Sequence, residues 1–174
     1  MENSTLEMQA QHLVSSIELC LRNHFTAPSL ILTYATIDIM AWLDRDENHQ
    51  DVQRDDFIRW VETYLLPSSQ LPCTAIDLYA ARCSLLHSYS AESKLSREGK
   101  ANLVFYAWGT AEQQDLQKLI DLAGNRDAKA VQVEGLIRAL KTGIERFLSD
   151  MAHNELVTSR AVKLFSNMPN KVEA

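Results

Sequence analysis

Residues 29–43 leave this chain the fewest choices. Leu30, Ile31, Leu32, Tyr34, Ile37, Ile39, Met40, Trp42 and Leu43 run all the way round a helix. A helix with no polar side has to be enclosed by other elements. Pro28 suits its first helical position, since its φ is already helical and its missing N–H would lack a partner there. One charge, Asp38, lies within the segment, one turn after Tyr34. An unpaired buried carboxylate is costly, so Asp38 needs a partner.

The rest of the chain supplies helices to do the enclosing. Ser4-Thr5-Leu6-Glu7 has the form of a capping box, and the helix after it runs to about His24 or Phe25. Leu6, Ala10, Leu13, Val14, Ile17, Cys20, Leu21 and His24 mark its inner face, with His24 read as a satisfied core histidine. The charged run 44–51 reads as an exposed loop. Asp55-Asp56 caps a helix over 57–66, ended by Pro67, with Phe57, Val61, Tyr64 and Leu65 inward. Thr74 and Asp77 open the next helix in near capping-box fashion. Residues 101–108 are short, apolar and aromatic, and stop at Gly109; they suit a strand or a buried helical turn, with the aromatics in the core. Thr110 caps a helix through Leu122, with Leu116, Leu119, Ile120 and Ala123 as its stripe. A helix over 131–151 buries Val133, Leu136, Ile137, Leu140, Ile144, Phe147 and Leu148, with Gly135 and Gly143 allowing close packing. The last helix, 154–165, carries Leu156, Val157, Val162 and Phe165, and 168–174 form a frayed tail. With only 5 Gly and 4 Pro, the pattern predicts one domain over 1–174. The expected class is all-α: a bundle of about six to seven helices, with a short strand or extended segment allowed near 101–108.

Composition narrows the chemistry. A net charge of −6 argues against coating long nucleic acid with the whole surface, so any RNA contact needs a local basic patch. Cys20, Cys73 and Cys83 are scattered and form no Cys-x-x-Cys, which suits free thiols in a reducing compartment. The polar N-terminus lacks the build of a signal peptide, and no apolar run is read as long enough to span a bilayer, so a cytoplasmic protein without a membrane partner is expected. Neither metal nor cofactor is expected. The five histidines are scattered, and only Asp150-x-x-His153 approaches a diiron motif. There is no glycine-rich phosphate loop and no Gly-x-Ser-x-Gly. No short helix pair carries the basic face of a DNA-reading helix-turn-helix.

The chemistry-bearing stretch is the end of the helix opened by Thr74. Ile76, Tyr79, Ala80, Cys83 and Leu86 follow helical spacing as a core stripe. Arg82 and His87 then flank that stripe, about 140° apart around the axis. One straight helix is not expected to bring them onto one atom, which favours a bend or a second copy of the chain. A second Arg and His pair, Arg146 and His153, lacks the apolar lead-in and the trailing tyrosine.

Arg82-Cys-Ser-Leu-Leu-His87-Ser-Tyr89 resembles the Arg-x4-6-His signature of the HEPN superfamily, in the Arg…His-x-Tyr form of some toxin-type members. The resemblance covers about a dozen residues. It implies a HEPN-like helical bundle, a symmetric homodimer, and a composite cleft that in active members is a metal-independent ribonuclease. It also implies a toxin or antiphage role, with a cognate antitoxin or regulatory protein as a further partner. Cys83 departs from the pattern, since many members carry Asn, Asp or His there. On this reading His87 is the general acid or base, its natural range suiting work near neutrality. Arg82 holds the scissile phosphate and stabilises its growing charge. Tyr89 orients the phosphate from the Arg82 side of the helix, and is a modification target in related toxins. Ser84 and Asp38 support the pair; Asp38 either holds Arg82 in place or makes a structural bond to some other donor. Lys94, Arg97 and Lys100 recur every three residues beside the motif as candidate RNA phosphate contacts. The alternative is a non-catalytic module of the same fold that binds a nucleotide or protein partner through the same cleft.

Overall fold

The structure, a computed structural model, describes residues 2–67 and 69–166. The side chains of Ser4 and Thr5 and the tail 168–174 lie outside the described residues, although α1 already starts at Glu2. The described elements are α1 (Glu2–Arg22), α2 (Thr26–Asp44), α3 (Arg54–Trp60), α4 (Ala75–Ser88), α5 (Lys94–Arg97), β1 (Leu103–Ala107), α6 (Gln113–Leu122), β2 (Ala128–Gln132), α7 (Val133–Asp150) and α8 (Glu155–Ser166). A π-helical turn, Val61–Leu65, extends α3.

The molecule is mostly helical, and α2 is its axis. No residue from position 29 to 45 is exposed, and α1, α3, α4, α7 and α8 all pack against α2. Tyr34, Ile37, Met40, Ala41 and Leu43 are fully buried. By length and composition α2 would also suffice to cross a bilayer, which corrects the expectation that no apolar run does so. Here its apolar sides face other helices, and its one mid-helix charge is ion-paired. Arg160, buried on α8, donates to the carbonyls of Leu43 and Arg45 at 3.0 and 2.6 Å, satisfying acceptors that the end of α2 leaves open. Gly143 lets α7 approach the π turn closely: a Cβ there would stand 3.1 Å from the Tyr64 carbonyl oxygen.

Three features depart from the expected bundle. First, β1 and β2 pair in parallel, from Leu103 opposite Ala128 to Ala107 opposite Gln132, with α6 as their crossover. The run at 101–108 is thus a strand. Its partner takes in the first two residues of the stretch read as a helix from 131. Ala128-Lys-Ala-Val-Gln132 has little strand signature of its own. Its neighbours make it a strand: Gln117 and Gln113 on α6 accept from the amides of Ala130 and Gln132 at 2.8 and 3.3 Å, closing its open edge. Second, α6 buries only Ile120, while Leu119, Leu122 and Ala123 are exposed, because α6 rests on a two-stranded sheet rather than in the bundle. Third, His24 is exposed, not core. It holds φ 61° and ends α1 with paired bonds, His24 N–H to Leu21 and Phe25 N–H to Cys20. These are the bonds of a left-handed helix cap.

Two buried aspartates tie elements together. Asp77 accepts from the Thr74 amide at 2.9 Å, closing the capping box of α4, and from the Asn102 amide at 2.6 Å, which holds α4 to the start of β1. Asp56 accepts from the amides of Gln53 and Asp46, from His49 Nδ1 at 2.9 Å and from Arg59 at 3.2 Å. Burial opposes its charge, but these donors outweigh it and hold its carboxyl below the usual range.

Asp77→Ala leaves the Thr74 and Asn102 amides without their acceptor and should cost about 2–4 kcal/mol in urea unfolding. A loss under about 1 kcal/mol would show that the tie is not structural. A depressed carboxyl gives stability that is present above its ordinary value and lost as pH falls through the folded one. Asp56→Asn should therefore be about 1–3 kcal/mol less stable than wild type at neutral pH, with the gap closing below about pH 4. A gap constant with pH would show that the Asp56 charge contributes nothing.

Candidate functional site

The capping box fixes where α4 starts, and two turns later the helix presents Arg82 to α2. Arg82 Nε and Nη2 both donate to Asp38 Oδ2, at 2.8 and 2.7 Å. Both side chains are about four-fifths covered, at 21% and 19% exposure, so the ion pair is only weakly screened. Burial raises the Asp38 carboxyl from its ordinary value, against the pull of Arg82 and His87. Burial pulls the Arg82 guanidinium down, but Asp38 more than offsets it, and the net shift is upward.

The third nitrogen of the fork is turned outward. Arg82 Nη1 lies 3.2 Å from His87 Nε2 and 4.0 Å from Cys83 Sγ. A guanidinium has donors only, so this contact uses the lone pair of His87 Nε2 and places the imidazole proton on Nδ1. Asp38, Arg82 and His87 thus form a line from the covered flank of α2 to the exposed last turn of α4. The residues meet within one helix, contrary to the expectation from their angular separation. That angle describes Cβ directions; two long side chains bridge the five-residue gap, about 7.5 Å of helix rise, over the small Cys83. A second copy is not needed to bring these two residues together.

The buried face of α4 also differs from the expected stripe. Asp77, Leu78, Ala80, Ala81 and Ser84 are buried, while Ile76, Tyr79, Cys83 and Leu86 are half-buried on its flank. Small residues let α4 lie close to its neighbours, while Tyr79 and Cys83 border a groove. This groove, 410 Å³ in volume, is bounded by Gln53, Arg54 and Asp55 from the start of α3, Tyr79 and Cys83 from α4, and Ser93, Lys94 and Leu95. Tyr79 and Cys83 lie on the arc of the helix between Arg82 and His87. Tyr79 stacks edge-on against Phe57 at 5.4 Å. Burial and Cys83 raise its hydroxyl above the ordinary range, against the nearby charges of Arg82 and Arg54.

The structure brings Asp38, Arg82 and His87 into one arrangement and sets Lys94 on the adjoining groove. It does not do so for the other expected site residues. Ser84 is buried on the far side of α4 and donates to the Ala81 carbonyl at 2.9 Å, since a serine inside a packed face satisfies itself locally. Tyr89 leaves the helix at φ 49° and lines a different cleft, so it does not stand on the Arg82 side. Lys100 pairs with Glu98 at 2.7 Å, and Arg97 is exposed on the short α5, outside the groove lining. Arg146 of the second Arg and His pair donates to the Tyr64 carbonyl at 3.5 Å. Sequence reasoning missed Arg54. Its only local signal was a cation at the start of a helix, followed by two acids.

Among the described residues no group of three or more His, Cys, Asp or Glu side chains is placed to hold a metal ion. The three cysteines are free. No family model matches the chain, and no curated protein or solved structure matches it.

If Asp38 and Arg82 act as one unit, a double-mutant cycle of Asp38→Asn and Arg82→Gln should give a coupling of about 1–3 kcal/mol in denaturant unfolding. A coupling within about 0.3 kcal/mol of zero would mean that the pair is geometric only.

Proposed function

We propose that the chain is a metal-independent endoribonuclease of the HEPN type, acting on RNA as a homodimer in a toxin or antiphage role. The observation that carries this reading is the Asp38–Arg82–His87 line. One carboxylate fixes a guanidinium so that its remaining N–H groups and a histidine lone pair share one open point. A phosphate oxygen arriving there can take the Nη1 hydrogen bonds, and in doing so it frees His87 Nε2. The histidine then accepts the proton of the ribose 2′-hydroxyl as that oxygen attacks phosphorus. The 5′-oxygen leaves, and a 2′,3′-cyclic phosphate forms. Arg82 stabilises charge on the phosphorane oxygens, and its orientation is set before substrate arrives. The leaving oxygen needs an acid, which a symmetric dimer supplies as a second His87. Lys94 and Arg54 line the groove beside this point and suit the phosphates that flank the scissile one.

A second reading, a non-catalytic module of the same fold that binds a nucleotide or a protein partner, draws on the same pair. Asp38 already neutralises the cation that would meet a phosphate, and the chain carries a net charge of −6.

Purified protein with labelled tRNA and mRNA in EDTA separates the two. On the ribonuclease reading the RNA is cut to cyclic-phosphate ends, and His87→Ala loses about 10²–10⁴-fold in rate. Arg82→Ala loses a further charge-stabilising group and falls by about 10²–10³-fold. No cutting by the folded protein, or cutting that survives in His87→Ala, would overturn the ribonuclease reading.

A further inference from the structure

A second cleft lies across α4 from the arrangement above, between the end of α1, the end of α4 and β1. It measures 680 Å³, within the size range of small-molecule sites. Leu30, Ala81 and Val104 form its buried side. Phe25, Tyr89 and Trp108 stand at its mouth, 59%, 69% and 51% exposed. They are the only exposed large aromatic side chains among the described residues, and all three border this one cleft. Scattered surface apolar groups are ordinary, but a convergence of rings is not.

The backbone makes the same point independently. His24 and Tyr89 are the only non-glycine residues with positive φ among those described, at 61° and 49°. Each ends a helix at a place where glycine fits without strain. An imidazole and a phenol there do nothing for the cap that glycine would not do better. What the two side chains share is this cleft, which both line. No Lys, Arg, Asp or Glu lines it, so it suits the uncharged part of a ligand and leaves ionic groups outside.

We propose that this cleft seats a nucleobase, stacked on Trp108, Tyr89 and Phe25, with its sugar and phosphate outside. Aromatic faces bind bases through stacking and tolerate any of the four. Tyr89 is two residues beyond His87, at most about 7.6 Å along the chain. A base held here therefore belongs to a nucleotide close to the phosphate at Arg82, with the strand crossing the end of α4. The RNA origin of the base rests on the ribonuclease reading; the aromatic chemistry of the cleft does not.

The test is titration of the full chain with adenosine and uridine 5′-monophosphates, read by tryptophan fluorescence, with ribose 5-phosphate as the abasic control. Saturable quenching by the nucleotides alone, abolished in Trp108→Leu, is the expected result. Tyr89→Gly should bind about tenfold more weakly or worse. Its melting temperature should be no lower than wild type, because glycine suits the cap, so weaker binding cannot be put down to misfolding. Absence of quenching at millimolar nucleotide, equal quenching by ribose 5-phosphate, or unchanged affinity in Tyr89→Gly overturns the proposal. RNA cutting without nucleotide binding sinks this inference alone. Nucleotide binding without cutting sinks the ribonuclease reading alone.

Discussion

A carboxylate inside an enclosed helix has to be answered by a cation, and the Asp38–Arg82 pair is that answer. No residue along the middle of α2 is more than partly exposed, so Asp38 cannot turn to water for all its hydrogen bonds. Arg82 reaches it from 44 residues further along the chain and spends two of its three nitrogens on one oxygen. The pair sets the height and rotation of α4 against α2. At the other end of α4 the capping box and the Asp77–Asn102 contact hold its start to β1.

The same interaction divides the guanidinium between structure and chemistry. An arginine in water samples many rotamers, and ordering it on a ligand costs entropy. Here Asp38 has already ordered it, and Nη1 is left pointing at His87. An arrangement of this kind trades some of the positive charge for direction. The result is a fixed, partly neutralised donor beside an imidazole, which suits an anion that arrives with its own charge to be shared. On the opposite side of α4 the lining is uncharged and aromatic, so the two faces of one helix end differ in the chemistry they offer.

Much of this was legible in local pattern. The unbroken apolar run at 29–43 required a central helix, and the isolated Asp38 within it required a partner. Thr74 and Asp77 marked where α4 begins, and Val133 to Phe147 marked a face of α7 that is buried as spaced. Other elements gave no such signal. Ala128–Gln132 is a strand because β1 and two glutamines of α6 hold its edges, and no feature of its own five residues says so. On α4 the spacing pointed to a face rotated from the buried one. Tyr79, Cys83 and Leu86 were expected inward, whereas the helix buries Asp77, Ala81 and Ser84, keeps Tyr79 and Leu86 only half-buried against the core, and sets Tyr79 and Cys83 on the groove.

By itself the sequence determined where the long helices lie, which of them must be at the centre, and which groups could not be left alone. These follow from the 3.6-residue period and from the cost of burying charge, both properties of a chain segment wherever it ends up. Only the tertiary structure decided that Asp38 meets Arg82 rather than another donor, that Arg82 and His87 touch within one helix, and that Ser84 and Tyr89 face away from them. It also decided that His24 caps a helix at the surface instead of filling the core. Each of those outcomes depends on side-chain reach and on which neighbour occupies the adjacent space. Periodicity carries the direction of a Cβ but nothing about what stands opposite it.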